Sequence, residues 1–448
     1  MISNFLSTLV DLVWGLPLVI WLVGGGLALS IISIINGQFL WFKIPQALKL
    51  LTTPKDPNKP GQVSHFGALC NALSGTVGMG NISGVALAIA TGGPGAIFWM
   101  WISALVGMSS KFFECSLAVM FRSKDYQNEI QGGHMYIIEK KLPKLKSLAW
   151  LFAIFGLLGT LSIFNVNQMA QFAESEFAIP PLVSGIVTAI FVVIILWGGV
   201  RRVASWTSII VPSMCLLYVV LSLVIIVMNL EKVPQIFSLI FSEAFTFKSA
   251  WGAAAGLSFS EIMKIGIRRA AFSNEAGLGT APLAHGNAST DKAYKEGLVA
   301  MLGPIIDTLI VCTMTALVIL ISLDASSIME HKDQAIIITK LAFEKNLGTF
   351  GIIALGVLIL FFSFSTVIGM AHYGSKCFNY LFKGKWIFTK HFFIILYALT
   401  VVWGSFNSQD DVVNLVDIGL GLMAIPAMLT TLLLSKYVMK EMKADNPQ

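Results

Sequence analysis

The sequence predicts an all-α polytopic membrane protein with about eleven transmembrane helices, and three observations carry that prediction. Apolar runs near or above the roughly 18-residue length that crosses a bilayer recur along the whole chain. Hydrophobic residues make up 56% of the 448 residues and charged ones only 12%, where a soluble domain carries about 25% charged residues. Twenty-one of the thirty lysines and arginines fall in alternate connecting segments, which is the bias that orients helices in a membrane. A transmembrane barrel would show short alternating segments instead.

The candidate spans cover about residues 13–35, 66–91, 95–121, 148–173, 180–198, 207–229, 249–272, 298–322, 348–373, 391–404 and 412–434. The N-terminus does not read as a cleaved signal peptide, because it has no basic region and Asp11 precedes the first apolar run. An odd span count puts the two ends on opposite sides. The basic bias then sets the C-terminus in the cytoplasm and the N-terminus outside, with only Lys232, Lys248, Lys332, Lys340 and Lys345 in outer segments. The net charge of +6 therefore reports topology and not a nucleic-acid partner. The five cysteines are scattered without metal or redox spacing and read as small packing residues. The longest outer segment, Asp324–Leu347, contains "DQAIIITKLAF", whose helical spacing suits an amphipathic piece lying along the surface.

Two spans look interrupted. The second holds "SGTVGMGNISG", Ser74–Gly84, with four glycines in eleven residues. Glycine costs a helix roughly 1 kcal/mol relative to alanine, and lipid tolerates a broken helix only where protein or water surrounds it. In the seventh span, Gly252 and Gly256 precede Ser258 and Glu261, which have capping-box spacing. That spacing predicts a helix start in mid-span, and so a break just before Ser258. Each interrupted span opens a group of five, the pattern of an inverted-repeat transporter with a midplane site. The repeats would be 66–229 and 249–434, joined by an outer segment at 230–248. Residues 1–65 would add a helix and a cytoplasmic loop, and 435–448 a cytoplasmic tail. The alternative for the glycines is close helix packing through small-x-x-x-small spacings.

Several long motifs in order carry a resemblance. "GGPGAIFWMWISALVG" (Gly92–Gly107) resembles the signature of the alanine or glycine:cation symporter family. "GTVGMGNISGVALAI", "KFFECSLAVMFR", "GGHMYII", "FSNEAGLGTAPLAH" (Phe272–His285) and "FSFSTVIGMAHYG" (Phe362–Gly374) are similar to its other blocks. The resemblance implies a LeuT-type fold of five plus five inverted spans. It also implies sodium-coupled uptake of small neutral amino acids, alanine and glycine being the usual substrates. Proton coupling is a less common variant.

The resemblance places sodium on the carbonyls of Val77 and Gly80 and the hydroxyls of Ser365 and Thr366. Sodium is a hard ion that takes oxygen ligands, and an unwound helix exposes carbonyls. The alternative for the two hydroxyls is back-bonding within their own helix. Amides near Gly78, Met79, Gly80 and Asn81 would start a new half-helix whose positive end suits the substrate carboxylate. Asn81 would donate to that group or cap the half-helix. Glu261 would accept from the substrate ammonium or serve the capping box alone. Asn165 and Gln168 share one helix face and match a family N-x-x-Q, Gln168 being the preferred pocket residue and interhelical bonding the alternative.

Lys111 and Glu114 are spaced to pair structurally. Asp307 and Asp417 are intramembrane acids with no partner named by the sequence. Arg268 and Arg269 suit an anchor at the cytoplasmic end of their span, a gate ion pair being the alternative. The chain departs from the family pattern at Met79 (threonine expected), Met370 (tryptophan), His372 (tyrosine) and Ser375 (glutamate). Methionine for tryptophan at 370 reshapes one pocket wall and would admit a larger side chain.

Four rivals are weighed beside the symporter. A channel would show a symmetric filter or charge rings. An enzyme or ATP-driven pump would show H-E-x-x-H, G-x-S-x-G or G-x-x-x-x-G-K-[ST], none of which occurs. A non-transporting amino-acid sensor on the same fold would bind without counterflow. The expected partners are a small neutral amino acid, sodium and the bilayer, with no organic cofactor.

Overall fold

The computed structural model describes residues 2–56, 58–124, 129–246, 257–383 and 389–445. Among these, seven helices are long and apolar enough to cross a bilayer, and an eighth is the bent pair His65–Thr76 and Met79–Gly92. Two shorter apolar helices, Pro181–Trp197 and Thr389–Ser405, fill out the bundle. Strand is confined to a two-residue pairing, Ser123–Lys124 against Ile130–Gln131. The chain is a multi-pass, all-α membrane protein. The predicted Gly252–Gly256 feature lies outside the described residues.

Lipid-facing and protein-facing sides are separated by helical period. On Pro181–Trp197, Ile186, Ile190 and Ile194 are exposed, while Ser184, Thr188 and Val192 are buried. On Gly199–Met228, Leu216, Val220 and Val227 face outward, and Tyr218, Ser222 and Ile225 face inward. Apolar side chains outside and hydroxyls inside are what a lipid solvent selects. The broken pair is instead buried on all sides, with Val77, Met79, Asn81 and Ile82 each at 0% exposure. It sits in the centre, against Gly199–Met228, Phe259–Asn274 and Ala335–Phe382.

Hydrogen bonds cross the bundle on both sides of the broken pair. On the face where the last helix, Gln409–Asp445, finishes (hereafter the C-terminal face), Arg122 donates to the carbonyls of Pro60 and Ala288 at 2.8 and 2.9 Å. The Gln62 amide donates to Asn287 O at 2.7 Å beside it. On the opposite face, Gln168 donates to Gln409 at 3.0 Å.

The segment expected to lie along the surface does not. Ala335, Ile336, Ile337, Ile338 and Thr339 are all buried, and a non-helical residue, Gly348 at φ 57°, turns this stretch into the following span. Four consecutive apolar residues leave no polar face for an interface, so the piece packs inward, with Thr339 reaching Ile82 O at 3.5 Å.

Candidate functional site

The first break falls where the glycines predict it. Helix His65–Thr76 starts on Ser64, whose hydroxyl accepts from the Gly67 amide, and stops at Val77 in an extended conformation. The chain restarts at Met79, and the two helices bend by 40°. Gly78 has no room for a side chain, because a Cβ there would lie 2.1 Å from Thr366 Oγ1 and 2.8 Å from Asn165 Oδ1.

Backbone groups released at the break are met by side chains. Asn81 Oδ1 accepts from the Gly78 amide at 2.8 Å, and Asn165 Oδ1 accepts from the Met79 amide at 2.9 Å. Thr366 donates to the Val77 carbonyl at 3.2 Å. Ser365 back-bonds to Phe362 O at 3.0 Å and touches the Met214 sulfur at 3.4 Å. Thr366 therefore reaches the break, and Ser365 keeps the back-bonded arrangement.

The break expected just before Ser258 falls outside the described residues, and a break is seen at the other end of the helix that follows. Ser258 and Glu261 do form the capping box, with Glu261 Oε2 accepting from both the amide and the hydroxyl of Ser258 at 2.7 Å. But this cap opens an unbroken helix, Phe259–Asn274, at the end facing away from the C-terminal face. At 1.5 Å per residue Glu261 lies about 17 Å along that helix from Phe272. A cap marks where a helix starts and carries no information on depth, so Glu261 is removed from the central site. The helix ends instead in "NEAGLGT", where Glu275, Gly277 and Gly279 all have positive φ, at 56°, 84° and 85°. A short helix, Ala281–His285, resumes beyond it.

The two breaks meet. Asn81 Nδ2 donates to Ser273 Oγ at 3.1 Å and to Asp307 Oδ1 at 2.7 Å. Asp307 also accepts from Ser273 at 2.5 Å and Thr308 at 2.8 Å. It sits on a π-helical stretch, Ile305–Cys312, a local widening that recurs at functional sites. Cys312, read from sequence as packing, brings its sulfur to 3.3 Å of Asn81 and 3.2 Å of Ser273. Phe272 packs edge-on against Phe164 at 5.4 Å, and the Gly80 backbone lies against its ring.

Other expected residues sort as follows. Gln168 is one turn beyond Asn165 and bonds Gln409 and Asn167, so the broken backbone is reached by Asn165 and not by Gln168. Met79 and Met370 are buried at 0% and 6% exposure. His372 is buried beside Tyr373, and Ser375 back-bonds to His372 O. Lys111 and Glu114 are both buried, with no salt bridge between them among the described residues. Arg268 and Arg269 are not an anchor. Both bind Asp417, Arg268 through Nε at 2.7 Å and Nη2 at 2.5 Å. Asp417 is eight residues into its helix, about 12 Å below the start on the face opposite the C-terminal one. Trp14 Nε1 donates to its carbonyl at 2.9 Å.

The profile of the sodium:alanine symporter family matches residues 1–447. The chain belongs to the sodium:alanine symporter family. Within the family it is 39% identical to the sodium/alanine symporter AgcS of Methanococcus maripaludis, over 99% of this chain and 97% of that one. It is 34% identical to a probable sodium/glutamine symporter, GlnT, of Bacillus subtilis, over 97% and 88%. In structure it resembles MhsT crystallised with L-phenylalanine, with a TM-score of 0.58 at 14% identity, over 86% of this chain and 98% of that one. That likeness gives this family member a LeuT-type fold.

Proposed function

We propose that this chain is a sodium-coupled symporter that carries small neutral amino acids of the alanine and glycine class into the cell by alternating access. The observation that carries the reading is the meeting of two broken helices through Asn81, Ser273 and Asp307. Loose backbone and the buried carboxylates of Asp307 and Glu275 are thereby concentrated in the middle of the bundle. Broken helices at membrane depth need an enclosed polar site to be tolerated.

In this reading the Val77 carbonyl and Thr366 hydroxyl hold sodium, with the Gly80 carbonyl and Ser365 completing the set. Ser365 would have to release its helix carbonyl to do so. Asp307 supplies the negative charge that a cation bound nearby requires. The substrate carboxylate takes the positive end of Met79–Gly92. Because Asn165 and Asn81 occupy the Met79 and Gly78 amides here, the carboxylate uses the Gly80 amide or displaces an asparagine. Phe272, Met79 and Met370 bound the side-chain end. The basic bias of the connecting segments supports a cytoplasmic C-terminal face and an N-terminus outside. The repeats are read as 66–229 and 249–434, each opening on its broken span.

Purified protein in liposomes should accumulate labelled alanine only under an inward sodium gradient. Gradient-independent flux would identify a channel, and binding without flux a sensor. Competition by twenty amino acids then sets the substrate class, and glutamine belongs in that panel because a relative is named for it.

A further inference from the structure

On the C-terminal face, well apart from the two breaks, one carboxylate joins two imidazoles. Glu296 Oε2 is bonded to His65 Nδ1, and Glu296 Oε1 to His285 Nδ1 at 2.5 Å. The three residues come from three elements. His65 is the first residue of His65–Thr76, His285 ends the short helix that follows the second break, and Glu296 is on Ala293–Ala300. All are buried, with Glu296 at 0% and His285 at 1% exposure. The cluster therefore ties the C-terminal-face ends of both broken spans to the next helix.

We propose that His65, Glu296 and His285 form a proton-operated latch that holds the C-terminal face shut. The proposal rests on the alternating-access reading, in which this face must open to release substrate. With both imidazoles neutral, each Nδ1–H donates to the same carboxylate. These bonds are charge-assisted already through the carboxylate, and a proton added to either ring sets a net positive charge beside it, an attraction that is larger in a low-dielectric interior than in water. That gain exists only while the elements are together, so acid favours the closed face and alkaline conditions release it.

Among the described residues, the two imidazoles are the groups bonded to the carboxylate. Arg122 feels Glu296 through space but spends its donors on the carbonyls of Pro60, Ala288 and Thr290. Cys115 is the group that faces Glu296 from Gly95–Met120, with Glu114 next to it in sequence and Lys111 one turn away. From Gln409–Asp445, Glu441 accepts from the Ala293 and Tyr294 amides, and Asp445 pairs with Lys292. Lys49 on Ile44–Leu51 is exposed, and Cys70 is the other titratable group on the helix of His65.

The test is hydrogen–deuterium exchange of residues 65–76 and 293–300 in nanodiscs at pH 6 and pH 8, corrected for intrinsic exchange. It is run beside sodium-driven alanine uptake in liposomes held at the same pH inside and out. Exchange in the wild-type chain should be about threefold or more faster at pH 8, the scale of the ion-pair attraction lost when the rings are neutral. His65→Gln and His285→Gln should flatten that ratio. Glu296→Gln, which keeps the size and removes the charge, should flatten it too and serves if either histidine variant fails to fold. Equal exchange at both pH values in the wild type overturns the latch, as does an unchanged ratio in the folded variants. A chain with pH-gated exchange and no sodium-driven uptake would instead sink the symporter reading and leave the latch standing.

Discussion

Thr366 gives its hydroxyl proton to the Val77 carbonyl across 3.2 Å, tying the long helix Ala335–Phe382 to the last residue before the first break. A carbonyl at a broken helix end and a hydroxyl on a facing helix are two oxygens that converge where a cation would replace the proton between them. Thr366→Val keeps the shape and removes one oxygen. It should weaken the sodium dependence of uptake by about tenfold or more, the scale of one bond to a charged group. Ser365→Ala should weaken it less, because that hydroxyl is held by Phe362 O. Sodium titrations of uptake separate the two, and equal losses would place Ser365 on the ion as well.

Asn165 fills the position a substrate carboxylate oxygen would take on the Met79 amide. Asn165→Asp keeps an acceptor for that amide and adds a negative charge beside the substrate's own. Alanine affinity measured by calorimetry should fall by about tenfold or more, by like-charge repulsion in a low-dielectric site, with little change in the melting temperature of the substrate-free protein. Unchanged affinity would move the carboxylate away from this half-helix end.

Asp307 is a buried acid at the junction of the two breaks, bonded to Asn81, Ser273 and Thr308. Asp307→Asn preserves the volume and cancels the charge. If the acid balances a bound cation, the sodium concentration for half-maximal uptake should rise by about tenfold. If the carboxylate only organises the three donors, the variant should lose stability and keep its sodium dependence.

How far the site could be read from sequence follows from what each signal encodes. The first break was legible because glycine weakness is a local property of residues 75–84. The break at the end of Phe259–Asn274 is not marked by the capping box at Ser258, which is equally local and correctly marks a helix start, while depth in the membrane depends on how the helix packs. The signal that could have found that break is "EAGLG", two glycines one residue apart just after a helix-length run, with three positive φ angles realised there. Asn165 and Gln168 share one helix face, and only packing decides which one meets the break. Asp417 and its arginines lie 148 and 149 positions apart, and no pattern in one sequence joins them.

Glu261 holds the capping box and lies away from the broken backbone, and this gives a separate test. Glu261→Gln should cost about 0.5–1 kcal/mol of stability through the weakened cap and lost charge at a helix N-terminus. Substrate affinity should not move. A selective loss of alanine binding in well-folded protein would return Glu261 to the substrate site.

The two arginines on Asp417 make the last prediction. Arg269 is 5% exposed and Asp417 is fully buried, so the charges have no water to fall back on. Taking the partner away from a buried ion costs about 3–5 kcal/mol, more than pairing at a surface would contribute. The carboxylate joins Phe259–Asn274 to Gln409–Asp445 below the surface, between the second break and the face opposite the C-terminal one. Asp417→Asn leaves two guanidinium groups side by side, and their repulsion should part the two helices on that face. Uptake should fall by about tenfold or more, and exchange of residues 259–274 should quicken while that of 65–76 does not. Arg269→Gln alone leaves Arg268 on the carboxylate and should cost less. Combining Arg269→Gln with Asp417→Asn should recover part of the loss, because the unpaired buried cation is gone, and the interaction energy from that cycle measures the pair directly. Strictly additive losses would show that the two residues act separately and that the ion pair does not close this face.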